Sequence, residues 1–190
     1  MVKKFLPIVI VTLLIGGAAG YGWLRFNLKP PPDSASPTQP TPLDVDPESG
    51  VVFVKDEDAE MNAAIAESRR TVAEFITAFN DPCVACGSFS VKQRYDTPDG
   101  GSERIWIEVQ GIENNQFVGV IGNDPVKVPD LKIDDKVRVQ LDEISDWMYL
   151  HDGEVVGGRT IKLLCDRATP EERASRFGNL RFRAAQPAAH

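Results

Sequence analysis

Cys83-Val84-Ala85-Cys86 has the spacing at which two thiols can close a disulfide, exchange electrons, or supply half of a zinc site. Thioredoxin-like exchange needs its first cysteine at a helix N-terminus, where the dipole lowers the thiol pKa. This pair instead follows a helical pattern and precedes a strand pattern. A four-ligand zinc site lacks its second pair, because Cys165, His151 and His190 are the remaining soft or imidazole groups. No metal and no cofactor is therefore assigned. A local disulfide in an oxidising compartment is the leading reading, ahead of unpaired thiols and of redox activity. Cys165 stands beside Leu163 and Leu164 and is expected to be buried.

The second candidate set is aromatic. On a strand, Trp147 and Tyr149 share one face and Met148 takes the other. With both faces covered these are core residues. With one face open, the two rings and Trp106 make a recognition surface. Asp146 is expected to bond nearby backbone, and Gly157-Gly158 to supply positive φ or a close backbone approach. The glycine and lysine pattern of a phosphate loop is missing, as is a glycine-flanked serine elbow. The two histidines, His151 in a turn and His190 at the end, are the ordinary general bases near neutral pH. No catalytic residue is assigned, and a binding role is expected ahead of an enzymatic one, with thiol redox at Cys83 and Cys86 as the alternative.

The elements that must hold these groups follow from periodicity. Met61, Ile65, Val72, Phe75, Ile76 and Phe79 recur at helical spacing and predict one amphipathic helix over 57–79. After Gly87 the pattern alternates, through Phe89, Val91 and Tyr95, then Ile105, Ile107 and Val109, then 117–121, 137–141 and 144–150. Tight turns at 98–101, 114–115 and 152–153 make this an antiparallel meander. Residues 160–165 fit a last strand or a short helix. Thr169-Pro170-Glu171-Glu172 has the form of a helix start. The expected class is α+β, with the helix on a bent antiparallel sheet or small barrel and a short C-terminal helix.

Ahead of this lies an uncharged run, Phe5 to Leu24, long enough for a membrane helix. Residues 1–28 are expected to be a transmembrane anchor, favoured over a cleaved signal peptide, and 29–50 a proline-rich tether. Seven of the fourteen prolines fall between Pro30 and Pro47. Residues 51–183 form the single domain and 184–190 a disordered tail. A short basic N-terminus argues for a single pass of the inner membrane with the domain on the periplasmic side. Net charge is −7, with a basic stretch from Arg159 to Arg183 suited to an acidic partner or lipid head groups. Expected partners are the membrane and an unknown protein or envelope component, and not nucleic acid.

The segment Ile144 to Leu164, with FSVKQRYDTPDGGSERIWIEV and FVGVIGNDPV upstream of it, resembles the bacterial domain of unknown function 2314. The resemblance covers roughly residues 58–173. Its most specific elements are Asp146-Trp147-Met148-Tyr149 and Gly157-Gly158 followed by Thr160-Ile161. It implies no activity and no cofactor. Arg159 departs from the aromatic residue expected there, and Cys83 and Cys86 lie outside the family pattern.

Overall fold

The computed structural model describes residues 13–15, 43–45, 52–54, 58–178 and 180–183. The fold is α+β, a curled antiparallel sheet in the form of a half-barrel with short helices. Four strands make a meander, β3 (Cys86–Asp96), β4 (Ser102–Glu113), β5 (Gln116–Ile121) and β6 (Lys136–Gln140). The chain then returns. Strand β7 (Ile144–His151) pairs with the free edge of β3, and β8 (Glu154–Gly157) pairs with β7. Bulges bend the ladders, between Val109 and Gly111 on β4 and at two places along β3.

Two short strands precede these. β1 (Leu13–Ile15) lies antiparallel to residues 102–104 of β4, and β2 (Val52–Phe53) runs parallel to β1. This corrects the expected anchor at Leu13–Ile15, which is an extended strand in the sheet and not part of a helix. The physical reason is the open edge of β4: β5 pairs only with its C-terminal half, so residues 102–104 still have backbone groups to satisfy. The other residues of the proposed anchor, 1–12 and 16–28, lie outside the described ones. Among the described residues no helix is long and apolar enough to cross a membrane. The expected tether also changes at one point. Leu43 and Val45 pack on the domain, the Leu43 N–H donates to Glu172 Oε1 at 2.9 Å, and Val45 bridges to Val52. The rest of the proline-rich stretch and residues 184–190 are outside the described set.

The expected long helix is two. α1 (Ala59–Arg70) begins at Asp58, whose carboxylate accepts from the Met61 N–H, and α2 (Val72–Asn80) follows a break at Thr71. At the break the Trp147 indole N–H donates to Ser68 O at 2.8 Å, and the Thr71 hydroxyl donates to Glu67 O. The bend sends the two helices to different cores. Met61 and Ile65 join Trp106, Met148, Ile161, Leu164 and Phe177, whereas Phe75 joins Val91, Ile105, Ile107, Phe117, Ile144 and Trp147. Neighbours on β4 and on β7 thus divide between two clusters, as alternation on a strand requires when both faces are covered. Residues 160–165 belong to a helix, α3 (Arg159–Arg167). The Thr169 capping box opens α4 (Pro170–Glu172), which runs into a π-helical turn at Arg173–Phe177.

Candidate functional site

Two polar clusters lie along the β3–β7 ladder. The inner one is a row across three strands, because register places Lys92 beside Trp106 on β4 and beside Asp146 on β7. All three side chains are buried, with Lys92 1% and Asp146 0% exposed. A buried charge is tolerable only where its surroundings compensate it. The Lys92 ammonium donates to Thr160 Oγ1 at 3.0 Å and sits 4.4 Å from the centre of a Trp106 ring. Burial pushes its pKa down to about 8, against the pull of Asp146 and with a smaller push from Arg104.

Asp146 is the hub of this row. Its Oδ1 accepts from the Ser68 hydroxyl at 2.8 Å, from the Trp147 N–H and from the Arg159 N–H; its Oδ2 accepts from the Thr160 N–H at 2.8 Å and the Thr160 hydroxyl at 2.6 Å. The carboxylate therefore satisfies the first turn of α3 while also tying α1 to β7. The approach to α3 needs two glycines. Gly157 has φ +78°, and a Cβ there would lie 2.4 Å from Trp147 O and 2.5 Å from its ring; Gly158 has φ +60°. Neither position accepts a side chain without displacement.

This arrangement answers the open alternative for the aromatic set: both faces of the sheet are covered, the case in which these residues belong to the core. Trp106 and Trp147 are each 1% exposed, and Asp146 is fully enclosed, so these are interior positions. Tyr149 is half-buried, stacked on Phe89 at 5.0 Å and on Trp147 at 6.3 Å, and burial raises its pKa. The rings meet a covered sheet because α1 and α3 lie over one face and α2 over the other. Lys92 and Thr160 were absent from the expected site residues. Alternation put Lys92 on a polar face, and only the closure of α3 over that face encloses it.

The outer cluster is on the rim. Cys83 and Cys86 form a disulfide across a turn in which the Cys86 N–H donates to Cys83 O at 2.9 Å. Cys86 starts β3 and stands opposite His151, the last residue of β7. A further bond, from the Asp152 N–H to Ala85 O at 3.2 Å, fixes the turn against the β7–β8 hairpin. The hairpin is tight because Asp152 and Gly153 both take positive φ. As a result the ligand atoms of Cys83, Cys86 and His151 all lie within 4.8 Å of one another. His151 Nε2 is 3.5 Å from Asp152 Oδ2, which in turn is 3.9 Å from the Arg183 guanidinium. Arg183 is held there because residues 181–183 add to the edge of β8: Val155 N–H donates to Arg181 O and Arg183 N–H to Val155 O.

The rim is exposed where the inner row is closed. Val84, between the cysteines, is fully exposed, and Cys83 is exposed beside it. No helix begins at Cys83, so the dipole that activates a thioredoxin-like thiol is missing there. His151 is the neighbour that sequence spacing did not connect to the pair. Cys165 lies apart, buried in the hydrophobic cluster with Met61, Ile161 and Leu164, where burial raises its pKa.

A family model described as an uncharacterized protein conserved in bacteria, DUF2314, matches residues 58–179. The chain is 32% identical over 112 residues to the Uncharacterized protein YegJ of Escherichia coli K12, covering 59% of this chain and 71% of that protein. It is 28% identical over 138 residues to the Putative ankyrin repeat protein NMB1133/NMB1171 of Neisseria meningitidis serogroup B. That match covers 66% of this chain and 53% of the relative, so the chain spans about half of that protein's length. No solved structure matches.

Proposed function

The chain belongs to the DUF2314 family, and from that premise we propose that its domain is a non-catalytic binding module that contacts another protein or envelope component through the Cys83–Cys86 rim. The observation that carries this reading is Val84, an apolar residue fully exposed on a turn closed by a disulfide and pinned to the neighbouring hairpin. A preformed apolar tip has little conformational freedom to lose on contact, which favours binding. Asp146, Trp106 and Trp147 are already engaged within the fold, so the rim is the better place to meet a partner.

Residence outside the cytoplasm belongs to the same proposal. It is supported by the disulfide, which persists in oxidising compartments. Its specific form is a domain on the periplasmic side of the inner membrane. A photo-crosslinking residue at Val84, in whole cells, tests the binding reading against the same residue at Glu171. One dominant adduct at Val84 and none at Glu171 is expected. Equal labelling at both positions contradicts it.

The second reading is thiol redox exchange at Cys83 and Cys86, favoured by the imidazole of His151 beside the pair. It predicts that the pair cycles with thiol reagents in the folded protein. A pair that stays oxidised under a mild dithiol buffer removes this reading.

A further inference from the structure

We infer that Cys83, Cys86 and His151, when the disulfide is reduced, form a three-ligand site for a thiophilic divalent ion of the zinc class, with the fourth position open to solvent. This inference is independent of the binding reading above. It starts from strand register, which brings an imidazole to a cysteine pair that alone supplies only half of a site. Tetrahedral zinc with sulfur at about 2.3 Å and nitrogen at about 2.0 Å places ligand atoms roughly 3.3–3.8 Å apart. The three atoms here lie within 4.8 Å, so the imidazole must approach by about 1 Å while the two sulfurs, freed by reduction, separate from bonding distance to roughly 3.8 Å.

The scaffold of this site does not depend on the disulfide. The turn bond from Cys86 to Cys83, the bond from Asp152 to Ala85 and the pairing of Cys86 with His151 are all made by backbone. They hold the two thiols and the ring together after reduction. The surroundings also suit a bound imidazole. Asp152 Oδ2 lies 3.5 Å from His151 Nε2, so with the ion on Nδ1 this carboxylate is placed to orient the ring through its other nitrogen. Arg183 approaches that carboxylate at 3.9 Å and Glu154 Oε2 at 3.9 Å, giving the rim a mixed charge. Two thiolates neutralise a divalent ion, and a sulfur-and-imidazole donor set selects zinc over calcium or magnesium. Exposure of Cys83 leaves one side of the ion uncovered, as in sites that take a fourth, exchangeable ligand.

The disulfide and the metal exclude each other, because the same two sulfurs serve both. A dithiol reductant transfers two electrons and two protons to the bond, giving two protein thiols and the cyclised disulfide of the reductant. The ion then replaces both thiol protons, which leave to solvent, while His151 binds as the neutral ring.

The test is a titration of the full chain with Co²⁺. The protein is reduced with a dithiol, desalted under argon, and compared with the oxidised form. One cobalt per reduced chain, with thiolate-to-cobalt charge-transfer bands, loss of the bands on adding Zn²⁺, and no bands in the oxidised chain, is the expected result. Cys83→Ser abolishes the bands. His151→Ala weakens cobalt binding at least about tenfold and changes the visible spectrum, while Cys165→Ala changes neither. Near-ultraviolet circular dichroism of each variant establishes that the fold is intact. Absence of bands in the reduced chain overturns the inference. So does a His151→Ala protein that binds cobalt with unchanged affinity and spectrum, since that describes a two-sulfur adduct without the imidazole.

Discussion

Strands β3 and β7 run through both polar clusters, and the two ends of their ladder are finished differently. At Lys92 and Asp146 the ladder is covered by α1 and α3, and both charged groups are hydrogen-bonded from within the fold, while the buried Trp106 indole N–H beside them has no hydrogen-bond partner among the described residues. At Cys86 and His151 it emerges at a rim, where backbone bonds set the positions and the side chains remain reachable. A bulge between Gly87 and Ser90 separates the two ends. The comparison teaches that the motif residues most legible in the sequence need not be the ones that face a partner. Asp146, Trp147 and Gly157 are required to build the domain, and the rim is what the built domain presents.

If that division is right, damage to the inner row appears as lost stability. The largest effect is expected for Asp146→Ala, which strips Ser68 and the first turn of α3 of their common acceptor and Lys92 of the nearby negative charge that offsets its own. A loss of about 3–5 kcal/mol in urea unfolding is expected, as for removal of one partner from a buried charge network. A loss below about 1 kcal/mol would make the hub dispensable. Gly157→Ala comes next, at about 3 kcal/mol, from strain at positive φ together with collision against Trp147. Thermal melts of the two variants, beside Gly153→Ala on the exposed hairpin as reference, check it.

Lys92 sharpens the comparison through pH. Its folded pKa of about 8 lies below the ordinary 10.5 of the unfolded chain. Between those values the unfolded state binds more protons, so this group makes stability rise with pH from 8 upward, by up to about 3 kcal/mol. Tyr95, raised to about 12 by burial, acts in the opposite sense above pH 10. The informative window is therefore pH 8 to 10, and Lys92→Met is expected to flatten the rise there. An equal slope in the variant would mean that burial does not lower the lysine's pKa in the folded domain. At the rim the effects shrink. Cys83→Ser opens a very short covalent loop and is expected to cost about 2 kcal/mol or less, measured by the same urea unfolding.

Much of the inner architecture was legible in the chain, for local reasons. Alternation located the strands, the turns at Asn114-Asn115 and Asp152-Gly153 have the residues their geometry needs, and Thr169 to Glu172 announced its own cap. What stayed hidden depends on distant contacts. The helix breaks at Thr71 where the Trp147 indole reaches Ser68, and helical periodicity carries no sign of that. Lys92 looked like a solvent-facing residue because a strand pattern does not reveal a helix laid over its polar face. His151 met the cysteines only through strand register. The uncharged run from Phe5 pointed to a helix, yet Leu13–Ile15 is a strand beside β4, since an apolar stretch can also complete a sheet edge.

The central claim, that the rim acts while the inner row supports it, is tested most directly at Val84. A photo-crosslinking residue at Ala85 would be placed in the otherwise native chain and in Val84→Asp, and adduct yield in cells read beside the urea midpoint of each. The account predicts stability unchanged within about 0.5 kcal/mol, because Val84 is fully exposed, together with loss of the adduct. An adduct that survives Val84→Asp at full yield, in a protein of unchanged stability, would contradict it.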